Sequence, residues 1–279
     1  MYAIGGLAVK KRTKTSGDEA DEATLYPTAL ARGLDILAAF TPADRTLGNQ
    51  ELIERTGLPK ATISRLTFAL VGLGYLTYDQ VLGRYSIGAA TIALGYSGLS
   101  ANPVIAIAKP LMQELANQTN LTVAMGERQG MEMLYLASCR SLSPVTLRLS
   151  IGSRLPMWTS AMGLAYLAAC PETSRSLIVD ELIAADPENA VRINSLVAVA
   201  GEQLARDGFV ASLGEWYPYI NAVGVPFEPT DGSPMLSITC GGITDIATRA
   251  VCMDRLGPAL RDLASELQLR LIGQAPAGR

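Results

Sequence analysis

Residues 46–88 are TLGNQELIERTGLPKATISRLTFALVGLGYLTYDQVLGRYSIG, and this stretch decides the fold of the N-terminal part of the chain. Its first part predicts a short helix that ends at Gly57 and Pro59, because glycine caps helices and proline cannot continue the hydrogen-bond ladder. A second helix is predicted from about Lys60. Its inward residues repeat at helical spacing and are Ile63, Leu66, Leu70 and Leu73. Two short helices around a tight turn are typical of a helix-turn-helix.

A β-hairpin is expected directly after the second helix. Residues 75–78 and 84–87 have strand character, and Gly83 lies in the turn between them. A helix-turn-helix followed by a hairpin is a winged helix-turn-helix. The alternative is a small helical subdomain that binds nothing, because the same outline also occurs in ordinary helical proteins.

The second helix leaves a face free to enter a major groove, where its early residues meet base edges. The candidates for base contacts are Lys60, Ala61, Thr62, Ser64 and Arg65. Arg65 suits a bidentate contact with guanine, with a surface salt bridge as the alternative role. Lys60 and Thr62 are better suited to phosphates. Asn49 and Arg84 are two further phosphate candidates.

The remaining chain divides into predicted segments. Residues 1–25 carry a basic run and then an acidic run, and are expected to be a disordered tail, with a minor-groove arm as the alternative. The DNA-binding domain is assigned to residues 26–88. An apolar helix at residues 89–102 is predicted to link it to a second domain at residues 103–274, and packing on the first domain is the alternative. The first helix is predicted at residues 28–40. Its inward residues are expected to be Leu30, Leu34, Leu37 and Ala38.

The second domain is predicted to be of the α+β class, because its strands bracket its helices on one sheet. A helix that starts at Pro103 is expected to be broken or kinked at Pro110. Further helices are expected at residues 159–169, 172–184, 187–206 and 243–272. Strands are expected at residues 121–126, 132–138, 145–149, 208–213, 220–226 and 234–239.

Composition narrows the possible chemistry. The chain has 279 residues, 49% of them hydrophobic, and a net charge of −3, which is compatible with two domains that each have a buried core. Histidine is absent, which removes the commonest general base and the usual nucleophile triads. No metal and no cofactor are expected. The four cysteines form no CxxC pair and are expected to be reduced core thiols, with a redox or metal role as the alternative.

Neither a signal peptide nor a membrane span is expected. The basic residues Lys10, Lys11 and Arg12 follow the apolar stretch at residues 1–9 instead of preceding it. No apolar run reaches the ~18 to 20 residues that a spanning helix needs. The sequence therefore predicts a cytoplasmic protein without membrane contact.

Three N-terminal stretches resemble the DNA-binding domain of the IclR-type bacterial transcription regulators: residues 29–40 (ALARGLDILAAF), 52–76 (LIERTGLPKATISRLTFALVGLGYL) and 83–88 (GRYSIG). Residues 151–169 (IGSRLPMWTSAMGLAYLAA) are similar to the family's effector-domain signature. The resemblance covers most of the chain, residues 28–272. It implies a GAF-like α/β effector-binding domain joined by a linker helix to the DNA-binding domain. The ALARGLDIL and RLPMWTSAMG segments look most like the branch that controls aromatic-acid catabolism.

The resemblance also implies a pocket for a small organic acid at the end of the sheet. The signature matches at Leu155, Pro156 and residues 159–163, where a helix N-terminus offers N–H groups to a carboxylate. A later motif matches from Asp207 to Phe209 and from Glu215 to Pro226. The effector-binding residues so implied are Trp158, Thr159, Ser160, Ala161, Met162, Gly163, Ser212, Glu215, Tyr217, Tyr219, Ala222, Ser237 and Thr239.

Two positions depart from the family's pattern. Ser212 and Ala222 stand where many members have Asp and Cys facing the ligand, which argues against a metal or thiol role there. Trp158, Tyr217 and Tyr219 are larger than a two- or three-carbon acid requires. They indicate an aromatic or larger organic acid, with ordinary core or dimer packing as the alternative.

The predicted function is a sequence-specific DNA-binding transcriptional regulator, not an enzyme, controlled by a small organic acid. Its expected partners are a double-stranded operator, the acid and a second copy of the chain, because a twofold axis places two recognition helices ~34 Å apart. A dimer of dimers is the larger assembly implied. Arg148 and Arg154 are both able to pair with a carboxylate, and neither is preferred. The alternatives are an enzyme built around Glu215 and a ligand- or partner-binding sensor without a DNA-binding role.

Overall fold

The structure is a computed structural model that describes residues 28–142, 149–230 and 232–274. Within these ranges the chain forms two compact units, one of residues 28–40 and 46–88 and the other of residues 41–45 and 89–274. The predicted tail at residues 1–25 and Arg148 lie outside the described residues. So does the predicted strand at residues 145–149, except for Leu149.

The first unit is a winged helix-turn-helix, as predicted. Its helices are α1 (Thr28–Ala38), α2 (Asn49–Thr56) and α3 (Lys60–Gly72). The wing strands β2 (Leu76–Asp79) and β3 (Arg84–Ile87) are joined by a strand that the sequence analysis did not predict, β1 (Leu47–Gly48), in the antiparallel order β1-β3-β2. Gly57 ends α2 in the left-handed conformation, with φ 67°, and its N–H donates to the Ile53 carbonyl. Only glycine adopts that conformation at little cost, so the turn begins where the sequence predicts it.

The core of the first unit differs in part from the predicted stripes. It is built on Ile36, Leu47, Leu52, Ile63, Leu76 and Tyr85. The inward assignments of Leu30, Leu34, Ala38 and Leu73 are wrong, because all four are exposed. On α3 the inward position is taken instead by Thr67, whose hydroxyl donates to the Ile63 carbonyl at 2.8 Å. A buried threonine that satisfies its own hydroxyl cannot be found by looking for apolar residues.

The second unit is a six-stranded antiparallel sheet between two layers of helices, an α+β fold. The strand order is β6-β5-β4-β9-β8-β7. Its strands are β4 (Thr122–Gln129), β5 (Glu132–Arg140), β6 (Arg154–Pro156), β7 (Val210–Leu213), β8 (Ile220–Phe227) and β9 (Leu236–Ile243). Its helices are α4 (Ala89–Ser100), α5 (Pro103–Thr119), α6 (Ala161–Ala169), α7 (Glu172–Ala185), α8 (Ala190–Asp207), α9 (Arg249–Val251) and α10 (Gly257–Gln274), with a π-helical turn at Cys252–Leu256 between the last two.

Alternation along the strands sends side chains to the two helical layers. On β4, Val123 and Met125 join the core formed with α5 and α10, whereas Ala124 joins the core formed with α6, α7 and α8. The period of two in an extended strand explains this division. Each face of the sheet is therefore covered.

Several predicted elements have different bounds. Of the two outcomes expected at Pro110, a break is wrong, because α5 continues through it as one helix, whereas a kink stays a prediction. Buried residues lie on both sides of the proline, Ala108 before it and Leu111 after it, and hold both halves in the same core. The predicted terminal helix at residues 243–272 begins only at Arg249, since β9 extends to Ile243.

The helix α4 is almost wholly exposed and belongs to the second unit. In the described part of the chain, no single helix is both long and apolar enough to cross a membrane. The helices α4 and α5 meet that criterion only as a pair, and they are bent by 80° at the break between them.

Helix α6 lies close to the sheet because glycines face it. A Cβ atom at Gly126 would lie 2.5 Å from the Met162 sulfur, and one at Gly224 would lie 2.9 Å from the Ala161 carbonyl carbon. A Cβ atom at Gly163, on α6 itself, would lie 2.5 Å from Met157 Cα. Real side chains do not tolerate such distances, so Gly126 and Gly224 allow α6 to lie close to the sheet, and Gly163 allows it to pack against the Met157 backbone.

We expect Gly163→Ala to destabilise the second unit by about 1–3 kcal/mol, because the added methyl group meets backbone that cannot move aside. The measurement is urea unfolding followed by circular dichroism. Gly201→Ala is the matched control: Gly201 lies within α8 and its added Cβ would have no neighbour within 4 Å. It should be neutral or stabilising by about 0.5–1 kcal/mol. Equal effects of the two substitutions would contradict the close-packing argument.

Candidate DNA interface and effector cavity

The outward face of α3 carries the predicted base-contact residues. Lys60, Ala61, Ser64 and Arg65 are exposed, and Thr62 is half-buried. Arg65 forms no ion pair with any acid in the described ranges, so the surface salt bridge considered for it is not found there. Its guanidinium is free to form a bidentate contact. The helix begins after Pro59, which has extended backbone angles and whose carbonyl accepts from the N–H groups of Thr62 and Ile63.

The two phosphate candidates outside α3 are less available than expected. The Arg84 guanidinium donates to the Thr46 hydroxyl at 2.8 Å and pairs with Glu51 at 2.7 Å. Hydrogen bonds from Arg84 and from the Gly48 N–H lower the pKa of Glu51, so this acid remains charged and the link is kept at neutral pH. Asn49 is half-buried, and its Oδ1 has no hydrogen-bond partner among the described residues. Arg84 therefore ties the wing to the start of α2.

The second unit contains a small cavity of about 30 Å³ between α6 and the sheet. Its lining combines apolar side chains with hydroxyls. The lining residues are Thr122, Tyr135, Leu149, Leu155, Ser160, Ala161, Met162, Ser212, Trp216, Ile220, Ala222, Thr239 and Gly241. Sites that hold small organic ligands measure about 300–1,000 Å³, so side chains of this lining must move apart to admit one.

Pairing of the strands brings part of this lining together. Ser212 on β7 is opposite Ala222 on β8, Ala222 is opposite Gly241 on β9, and Gly241 is opposite Thr122 on β4. These four residues therefore form one row across the floor of the cavity. All four are small residues.

The polar groups of the cavity are neutral. Burial raises the pKa of Tyr135 to about 12, an effect that a hydrogen bond with Thr239 partly offsets, so this hydroxyl stays protonated at physiological pH. The Thr122 hydroxyl is buried and has no hydrogen-bond partner among the described residues. The Ser212 hydroxyl donates to the Thr159 carbonyl at 2.6 Å. None of the described lining residues carries a charged side chain.

The N-terminus of α6 opens at the cavity. Ser160 caps the helix, and its hydroxyl accepts from the Gly163 N–H at 3.1 Å. Ala161 and Met162 occupy the first two helical positions and line the cavity. Their N–H groups have no intrahelical acceptor, and the positive end of the helix dipole favours an anion beside them.

The cavity gathers six of the thirteen residues implied as effector-binding: Ser160, Ala161, Met162, Ser212, Ala222 and Thr239. The other seven lie beside or behind it. Thr159 accepts the bond from Ser212, and Gly163 faces Met157. Ser237 is fully buried, and its hydroxyl has no partner among the described residues.

The remaining four form a polar and aromatic cluster next to Trp216. Glu215 pairs with Arg192 at 2.8 Å, and the Arg192 guanidinium lies 5.4 Å from the centre of the Trp158 ring. Tyr217 and Tyr219 stack on each other, with centroids 5.4 Å apart, and are exposed. Arg154 is also exposed and pairs with Glu132 at 3.1 Å.

Sequence reasoning missed six lining residues, which are Thr122, Tyr135, Leu149, Trp216, Ile220 and Gly241. Leu155 also lines the cavity. It was noted as a match to the family's effector-domain signature but was not among the residues implied as effector-binding. Trp216 lies just before Tyr217 and Tyr219, which the resemblance implied as effector-binding. Only the path of the loop shows which of these rings lines the cavity. One feature of the sequence could have pointed to Thr122 and Tyr135 as lining residues. Both are polar residues at the ends or inward positions of predicted strands.

The four cysteines are buried and unpaired, as expected of core thiols. Burial raises the pKa of Cys240 to about 12 and that of Cys252 to about 11, so both remain thiols at neutral pH. Among the described residues no cluster of three or more metal-ligating side chains occurs.

A winged helix-turn-helix unit and a separate α+β unit that contains a cavity are the arrangement of a transcription regulator. Residues 29–80 match the family described as IclR helix-turn-helix domain, and residues 97–269 match the one described as Bacterial transcriptional regulator IclR C-terminal. The chain belongs to the IclR family of bacterial transcriptional regulators.

Individual relatives agree with this assignment. The chain is 30% identical over 265 residues to the HTH-type transcriptional regulator TsaQ1/TsaQ2 of Comamonas testosteroni, covering 94% of this chain and 95% of that one. It is 38% identical to the IclR family transcriptional regulator from Brucella abortus, whose crystal structure superposes with a TM-score of 0.78 over 91% of this chain and 97% of that chain. An IclR homologue from Microbacterium hydrocarbonoxydans, crystallised with 4-hydroxybenzoate, shares the fold with a TM-score of 0.70 at 21% identity, over 88% of this chain and 100% of that chain. These relatives are regulators and not enzymes.

We expect Arg65→Ala to weaken binding to the operator by about 1–3 kcal/mol per half-site, with little effect on scrambled DNA, because a bidentate guanine contact carries sequence information. The measurement is fluorescence anisotropy with both duplexes. Arg32→Ala is the control, since it removes the same charge from an exposed position on α1. Equal losses for the two variants on both duplexes would reduce Arg65 to a general electrostatic contact.

Proposed function

We propose that this regulator binds a small aromatic carboxylic acid in the cavity of its second unit, and that the occupied cavity alters its operator binding. The observation that carries the proposal is the composition of the cavity: an anion-binding helix end at α6, neutral hydroxyls and an aromatic and aliphatic wall. We assign DNA binding to residues 26–88 and effector binding to residues 103–274, with the helix at residues 89–102 as the linker.

The carboxylate is proposed to lie at the start of α6, against the N–H groups of Ala161 and Met162. A helix N-terminus binds anions without a cationic side chain, because its N–H groups and the helix dipole favour negative charge. Ser212 replaces an acid at the position where many family members have Asp. The absence of that carboxylate removes a repulsion from the ligand's own negative charge.

The body of the acid is proposed to lie against Trp216, Leu155 and Ile220. These apolar side chains belong to the cavity lining, and apolar and aromatic contacts favour a ring over a short, strongly hydrated acid. The relative crystallised with 4-hydroxybenzoate supports an acid of this class. Trp158, Tyr217 and Tyr219 lie outside the cavity lining, so we assign the aromatic contact to Trp216 in their place.

On the DNA side we propose base contacts from Ala61, Ser64 and Arg65 and phosphate contacts from Lys60, Thr62 and Asn49. Arg84 is assigned instead to holding the wing, because its guanidinium is shared between Thr46 and Glu51. A regulator of this kind acts where its operator is, in the cytoplasm. We further infer that it has no enzymatic activity: its relatives are regulators, and the chain has no histidine to act as a general base.

We expect aromatic acids to change the fluorescence of Trp216 and to bind more tightly than pyruvate. The chain has two tryptophans, and of these only Trp216 lines the described cavity. Titration with benzoate, 4-hydroxybenzoate and pyruvate is the measurement. Trp216→Phe should lose most of the signal, whereas Trp158→Phe should keep it. Tighter binding of pyruvate, or a signal that follows Trp158, would contradict the proposed ligand class and site.

We also propose that the working unit is a homodimer, which can pair into a dimer of dimers. One helix-turn-helix makes few base contacts, and two half-sites read by a twofold dimer supply the missing affinity. Each unit has apolar side chains that are exposed to solvent. Leu30 and Leu34 on α1 are 62% and 55% exposed, and Ile92, Leu94 and Tyr96 on α4 are also exposed. Runs of exposed apolar residues mark protein interfaces.

Leu34→Glu is expected to shift the sedimentation of the protein toward the monomer and to weaken operator binding, because a charge would be buried at the contact. Leu177→Glu is the control, since Leu177 is a similarly exposed leucine, 67%, on α7. Analytical ultracentrifugation over a concentration series measures the assembly. An unchanged dimer in Leu34→Glu would exclude α1 from the interface.

A further inference from the structure

The side chain of Phe68 is 82% exposed, although it belongs to the helix that enters the DNA groove. A phenylalanine left in water forgoes the free energy that burial of its ring would supply. Its position on α3 suggests what covers it.

Phe68 shares the outward face of α3 with Arg65. It follows Arg65 by three residues and Ser64 by four, and residues at these spacings are neighbours on one helix surface. The buried side of the helix carries Ile63 and Thr67. Phe68 is therefore continuous with the proposed base-contact surface, and the inference rests on that surface facing DNA.

The residues around Phe68 on this face have small side chains or none. Ala61, Ser64 and Ala69 are exposed, and Gly72 has no side chain and no neighbour within 4 Å of the Cβ position. Between Ala61 and Gly72 the two long side chains on the exposed face are Arg65 and Phe68. The small residues around them permit the helix to approach the floor of the groove.

We propose that Phe68 contacts the C5-methyl group of a thymine in the major groove and specifies that base. The thymine methyl is the apolar group that the major groove displays, and phenylalanine is one of the side chains that contact it. Arg65 and Phe68 are about 4.5 Å apart along the helix axis, while successive base pairs are about 3.4 Å apart. The thymine is thus in a base pair next to the guanine that Arg65 contacts.

The test begins with selection of bound duplexes from a random pool by the full-length protein, so that the protein itself defines the operator. Each thymine of the selected duplex is then replaced by deoxyuridine, which removes only the methyl group. We expect one thymine in each half-site at which this replacement weakens binding about fourfold, the value for losing one buried methyl-sized group. Phe68→Ala should be insensitive to the replacement there, and its own selected duplexes should lose the preference for thymine.

Leu73→Ala is the matched control, because Leu73 is an exposed apolar residue, 68%, directly after α3 but on a different side of the helix. It should keep the wild-type response to deoxyuridine. The proposal is overturned if Phe68→Ala responds to deoxyuridine as the wild type does. It is also overturned if the main effect of Phe68→Ala is a change of sedimentation, since Phe68 would then be a protein contact.

Arg65→Ala, measured on the same selected duplex, separates the role of Phe68 from the proposal that the outward face of α3 contacts DNA. If Arg65→Ala loses specific binding while Phe68→Ala keeps the thymine preference, the DNA face stands and only the role of Phe68 fails. If both variants bind the selected duplex as the wild type does, the DNA face of α3 itself is wrong.

Discussion

The close approach of helix α6 to the sheet is the constraint on which the second unit depends. Gly126 and Gly224 on the strands and Gly163 on the helix leave no room for a Cβ atom, so backbone packs directly against backbone and side chain. This contact holds the start of α6 at the end of the strand row that forms the cavity floor. The cavity and the start of α6 beside it therefore have one structural origin.

The first unit depends on a smaller but comparable constraint. Arg84 on the wing is bound to Thr46 and Glu51, and Glu51 in turn accepts from the Gly48 N–H at the start of α2. The pair is half exposed, so its net contribution to stability is modest, and its effect is to fix geometry. It ties the wing strand β3 to the start of α2, the helix that precedes α3.

The two sites use different chemistry for their negatively charged partners. On the DNA side, exposed cations such as Lys60 and Arg65 are available to a polyanion whose counterions they displace. In the cavity, the described lining is uncharged, and the groups it offers to the proposed carboxylate are helix N–H groups and hydroxyls. A neutral cavity selects by shape and by the number of hydrogen bonds, which suits recognition of one small acid among many.

The sequence by itself determined the winged helix-turn-helix, the α+β second domain and the family, because Gly57, Pro59 and the helical spacing after Lys60 act locally. It also placed the start of α6 within two residues, at Thr159 where the structure has Ala161. Only the tertiary structure decided that Trp216 and Thr122 line the cavity, that Arg84 is held by Glu51, and that Thr67 is inward where Leu73 is not. These outcomes depend on strand register and on contacts between residues distant in sequence, which no local pattern encodes.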